Sequence, residues 1–104
     1  MVSEQAKSGM VNTDFEKIEK EKVETLRFPE TDVLLSSESK EKRQRDLERA
    51  LSMGNLDQIK IRIYFEDFES QKFIETTVWG VTDKRVILKQ GMVIPIHRIH
   101  FLQL

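Results

Sequence analysis

Two histidines, His97 and His100, stand three residues apart near the end of the chain, a spacing at which two imidazoles could meet one metal ion. Two nitrogen ligands are too few without a carboxylate or thiolate beside them, and neither Asp83 nor Glu75 has a fixed relation to the pair. They read as ordinary surface histidines, and no metal site is expected. Trp79 could be a platform on which a base stacks, but in a strand between Val78 and Val81 its expected place is the core. Lys84, Arg85, Lys89 and Arg98 fall around hairpin tips and a late turn, where they could hold phosphates or form a solvated rim. Glu66, Asp67 and Glu69 are the obvious carboxylates, yet no base or nucleophile lies near them in sequence. The chain has no serine elbow and no Gly-rich phosphate loop. With no cysteine, it has neither a thiolate centre nor a disulfide framework. No catalytic residue and no cofactor are expected, and the chain reads as a non-enzyme.

At 104 residues there is room for one domain. Apolar residues make up 38% and charged ones 34%, so a packed core must be concentrated in part of the chain. Charge is also uneven: residues 1–37 carry eight acids against five bases, whereas 38–54 and 55–104 each carry one surplus base. The overall −1 matches neither a dedicated polyanion binder nor an acidic tail protein. The first ten residues lack an apolar leader, and no run of about 18 apolar residues could span a bilayer. A cytoplasmic protein without membrane contact is expected.

The elements that must position these side chains crowd into the second half. β-branched and aromatic residues fill 58–66, 72–81, 85–89, 92–94 and 99–104, while turn-forming residues separate them, which predicts five short strands. In the first strand Ile59, Ile61, Ile63 and Phe65 share one face, and Lys60, Arg62 and Tyr64 the other. The second is apolar on both faces, as in a strand that bends and serves two sheets, with Gly80 as the bend. Pro95 stops the fourth strand because it cannot donate to a ladder, and 95–98 makes a tight turn. Ahead of the strands, 36–54 predicts a helix capped by Ser37 or Ser39, with Leu47, Ala50 and Leu51 as its apolar stripe and Gly54 as its stop. Its interleaved charges read as a solvated face. Residues 1–12 read as a mobile terminus. The stretch 13–26 is either disordered or a helix formed only on docking. Val33-Leu34-Leu35 either packs on the strands or docks a partner. The expected organisation is a mostly disordered acidic tail over 1–37, then helix plus small β-barrel over 38–104.

A helix, an Ile-rich first strand, a long bent second, a tight third and a His-containing turn before the last strand resemble the layout of Sm-like and SH3-like barrels. The nearest likeness is to bacterial Sm-like RNA chaperones of the Hfq type, over roughly 40–104. It is carried by Ile61-Arg62-Ile63-Tyr64-Phe65, by the run from Thr82 to Lys89, and by Pro95-Ile96-His97-Arg98-Ile99. The chain departs at Ile96-His97, where those chaperones carry Lys-His for uridine. A block like Glu75-Thr76-Thr77-Val78-Trp79 also resembles one in short bacterial proteins. The resemblance implies a mainly β fold, a five-stranded Sm/SH3-like barrel with one capping α-helix and a disordered N-terminal tail. It implies a non-enzymatic interaction module, weakly binding single-stranded RNA as an oligomer, with His97, Arg98, Arg85 and Lys89 as nucleic-acid contacts. The last strand, with Phe101, Leu102 and Leu104, would then pair with a neighbouring copy; the alternative is closure against strand one of the same chain. A second function is open: a protein–protein adaptor whose partner motif lies around 28–35.

Overall fold

The computed structural model describes residues 14–104, so the terminus expected to be mobile over 1–12 lies outside the described residues. A two-residue strand, β1 (Glu16–Lys17), and a 3₁₀ turn over Lys20–Thr25 come first, followed by α1 (Ser37–Asp57). Then come β2 (Ile61–Glu66), β3 (Gln71–Thr76), β4 (Val78–Val81), β5 (Arg85–Leu88), β6 (Val93–Pro95) and β7 (Ile99–Gln103), with 3₁₀ turns on either side of β6. Sheet one has the order β1-β3-β2-β7 and sheet two the order β4-β5-β6. The predicted strands are thus present, but the expected closed five-stranded barrel is corrected to two separate sheets. Among the described residues no ladder joins β6 to β7, and Pro95 withholds one donor that such a seam would use.

The bent stretch serves both sheets, as its two apolar faces require. It breaks at Thr77 rather than at Gly80. Thr76 and Thr77 are fully buried at the corner, and the Thr77 carbonyl accepts the Lys89 amide at 2.9 Å. Gly80 instead sits in a β-bulge, where the register slips between Val78↔Leu88 and Gly80↔Ile87.

Ile61, Ile63 and Phe65 enter the core between the sheets with Ile74, Val78, Val86, Leu88 and Ile94. Ile59 precedes β2 and is exposed, whereas Tyr64, expected on the polar face, is completely buried. Its ring stacks on Phe101 at 4.4 Å and Phe73 at 5.0 Å, and Phe15 closes the stack edge-on at 5.2 Å. Its hydroxyl donates to Gln103 Oε1 at 2.9 Å. Sheet one is therefore covered on both faces.

The helix is capped by Ser36, one residue earlier than expected, whose Oγ accepts the Ser39 amide at 3.0 Å. Leu47, Ala50 and Gly54 form its buried stripe against β4 and β7. The helix runs on to Asp57 and ends at Gln58 in the left-handed region (φ 58°). Gly54 is not its stop. A Cβ there would strike the Val78 carbonyl and lie 3.0 Å from the Thr77 methyl, so glycine lets helix and sheet touch.

Residues 14–35 correct both the disordered tail expected over 1–37 and the helix considered for 13–26. β1 pairs parallel with β3, and the Ile18 amide donates to the Phe73 carbonyl at 3.0 Å. Val23 is buried in the core, and Phe28 tilts against Phe65 at 6.1 Å. The apolar residues of this strap are few, but Phe15 and Val23 are buried, and burial of each is worth about 1.5–3 kcal/mol.

Candidate functional site

The four residues expected to contact nucleic acid divide into two pairs. Arg98 and His97 turn inward to hold the strap. Arg98, with its side chain 7% exposed, donates from Nε to the Glu66 carbonyl at 3.0 Å and from Nη1 to the Thr31 carbonyl at 2.7 Å. His97 Nε2 donates to the Pro29 carbonyl at 2.8 Å, since a carbonyl can only accept, and its own carbonyl accepts the Val33 amide at 2.9 Å. A guanidinium buried in this joint, with Nε and Nη1 donating to backbone carbonyls and Nη2 4.0 Å from the Glu66 carboxylate, is turned away from solvent and from any phosphate. Arg98 is therefore corrected from contact residue to structural pin.

Neither are the two histidines a pair. His100 Nε2 sits 2.8 Å from Glu66 Oε1, with Phe15 edge-on at 5.4 Å. Among the described residues no group of three potential metal ligands converges. The Asp67 carboxylate closes its own turn, accepting the Glu69 and Ser70 amides at 3.0 and 2.9 Å and the Lys72 ammonium at 3.0 Å. Burial alone would raise this carboxyl; the Ser70 and Glu69 amides and Lys72 outweigh it and hold it below its ordinary value. These carboxylates are structural.

Arg85 and Lys89 lie on or beside β5. Val86 and Leu88 of β5 are buried, so strand alternation puts Arg85 and Ile87 on the outward face of sheet two, and the half-buried Lys89 opens the 3₁₀ turn that follows the strand. The register places Ile87 between Gly80 and Val93, and Val93 is exposed. Trp79 is the extra residue of the bulge, and the strand re-aims it outward. It is 47% exposed, which corrects its expected place in the core. Ile87 covers the bare Gly80, its Cδ1 3.2 Å from where a Cβ would stand. The three strands contain no carboxylate. Among the described residues neither Arg85 nor Lys89 enters an ion pair. Sheet two thus carries an exposed indole and two part-exposed β-branched side chains, with a cation on β5 and another in the turn after it, neither of them in an ion pair among the described residues.

A concave feature lies at the edge of the same sheet. A groove of about 320 Å³ runs between β6 and the strap, with Val23, Leu26 and Phe28 on one wall and Arg85, Met92, Val93 and Pro95 on the other. It shares Phe28, Arg85 and Pro95 with a second groove of about 590 Å³ reaching Asp83, Lys84 and His97. At its far end Asp32 pairs with Arg43, which is buried and also donates to the Ile99 carbonyl at 2.9 Å. Sequence reasoning missed the strap and this groove; the signal was Phe15, Val23 and Phe28, large apolar residues recurring in a stretch otherwise polar enough to pass for a tail.

Compared with known proteins, the chain matches no family model, no curated protein and no solved structure.

Proposed function

We propose that this chain is a non-enzymatic interaction module on an Sm-like frame, and that the outward face of sheet two holds single-stranded RNA weakly. The observation that carries the reading is Trp79, exposed at a bulge of a sheet whose three strands hold no carboxylate and whose middle strand carries Arg85 and runs into Lys89. Support for the frame comes from the strand order: the last strand returns antiparallel to the first long one, and a preceding helix packs against the sheets. An indole offers any base a stacking surface, and two cations track the backbone without reading sequence.

Two phosphate contacts predict weak binding and a shallow salt dependence, about 1.4 decades of affinity per decade of salt. The test is a fluorescent uridine-rich oligonucleotide titrated at several salt concentrations against the parent and an Arg85→Ala/Lys89→Ala double variant. Binding by the parent that weakens with salt, and its loss in the variant, is the expected result. No binding by the parent at low salt and at about 100 µM protein, the weak end of sequence-independent affinity, would remove RNA as the ligand. The adaptor reading would then lead, but its motif at 28–35 is largely engaged with the chain's own sheets. Leu35, 93% exposed, is the residue that favours it.

A further inference from the structure

The edge of β6 is chemically unfinished. The Leu88 amide donates to the Met92 carbonyl and the Ile96 amide to the Lys84 carbonyl. Bonding in an antiparallel ladder alternates, so Met92, Ile94 and Ile96 face β5. The N–H and C=O of Val93 and the C=O of Pro95 point away from it, into the groove walled by Val23, Leu26 and Phe28. Pro95 brings no N–H, but Arg85 stands opposite it in the register, lines the same groove and has no carboxylate partner among the described residues.

From this we propose that the groove binds an extended segment of a partner protein as an added strand on β6. One residue of the segment exchanges two backbone hydrogen bonds with Val93. An apolar side chain next to it enters the slot of Val23, Leu26 and Phe28, and a carboxylate beyond it meets Arg85. The carboxylate belongs to an acidic side chain of the segment, and capture of a free chain end is the alternative that the test separates. Edge addition draws affinity from main-chain bonds and selectivity from alternate side-chain pockets, and the groove has both. Within the groove Glu24 sets the direction of selection: a carboxylate is favoured at the Arg85 end and disfavoured beside the strap. A second copy of this chain is the poorer occupant. Its candidate strand, β7, has the Ile99 carbonyl already taken by Arg43, and pairing would break a charge-assisted bond.

The experiment uses the full chain and three synthetic hexapeptides of alternating valine and threonine. One is blocked at both ends and contains an aspartate, one has asparagine in its place, and one lacks the aspartate but ends in a free carboxylate. Amide exchange at Val93 is followed by NMR as each is added. Slowed exchange at Val93 with the aspartate peptide, and at least about fivefold weaker binding of the asparagine peptide, is the expected result; slowing by the free-carboxylate peptide alone overturns the side-chain assignment. Val93→Pro removes the donor, and Met92 already has the extended conformation (φ −70°, ψ 151°) that must precede proline. That variant should lose roughly fivefold in affinity. Unchanged exchange at Val93 in the parent at millimolar peptide overturns the proposal whether or not the variant folds. Equal binding by a folded Val93→Pro variant overturns it too. Neither outcome touches RNA binding on the outward face, which is measured with a different ligand.

Discussion

Two residues show how far the chemistry of a side chain depends on what surrounds it. Gly54 looks in sequence like the end of a helix, and in the structure it is the contact at which the helix meets β4. A Gly54→Ala change would raise helix propensity slightly yet drive a methyl into the Val78 carbonyl. Overpacking dominates, so the variant should be destabilised by about 3 kcal/mol, read as a lowered midpoint in thermal unfolding; an unchanged midpoint would mean helix and sheet are not in contact there. Arg98 looks like a rim cation and is a buried pin. Truncating Arg98→Ala leaves the Glu66 and Thr31 carbonyls without their donors, which should cost about 3 kcal/mol of stability. The parent's salt-dependent RNA affinity should persist in whatever fraction remains folded. Loss of RNA binding without loss of stability would return Arg98 to the contact surface.

Among the elements, the strap over residues 14–35 depends on charge where it meets α1. Burial alone would raise the Asp32 carboxyl; the Arg43 guanidinium and the Leu34 amide outweigh it and hold the carboxyl below its ordinary value. Asp67 is depressed in the same sense. A carboxyl depressed in the folded state stabilises above its unfolded pKa, and that contribution disappears as pH falls through the folded value. The stability these two carboxyls contribute should therefore be constant near neutrality and begin to fall below about pH 4. Asp32→Asn should lower stability at pH 7 by about 2 kcal/mol, because it leaves Arg43 buried without its anion, and should make the acid limb shallower. An acid limb identical to the parent's would show that the strap is not held this way. The strands of β2 to β7 were legible because period-two alternation and turn residues are local signals. The strap was not, since its few apolar residues matter only once sheets exist to receive them. Tyr64 was misassigned for the same reason: strand parity sent it to the polar face, and its burial comes from Phe73 and Phe101 on the neighbouring strands and from the distant Phe15. Trp79 was misplaced because a bulge shifts parity by one residue, and no residue type announces a bulge that Gly80 could equally have made a bend. Of the site, Arg85 and Lys89 could be read from the sequence; the company they keep could not.

For the whole molecule the question is whether sheet edges are available to other copies. β3 is flanked by β1, the Ile99 carbonyl of β7 is held by Arg43, and β6 offers three residues ending in a proline. Short, proline-bearing and side-chain-covered edges disfavour self-association. The ring expected from the Sm-like resemblance is therefore not proposed, and a monomer should elute in gel filtration at about 50 µM, a concentration at which a stable ring of the standard interface size would persist; a hexamer-sized species would contradict the edge assignment. Among the described residues no helix is long and apolar enough to cross a membrane.

The most direct test of the account uses the fact that the chain has a single tryptophan, so its fluorescence reports on Trp79 alone. Titrating the parent with a uridine-rich oligonucleotide at low salt should quench that emission saturably, with the same midpoint as the anisotropy of a labelled oligonucleotide. Adding salt should reverse both together. Binding seen by anisotropy with no change in tryptophan emission would contradict the central claim, because the RNA would then be held somewhere other than the outward face of sheet two.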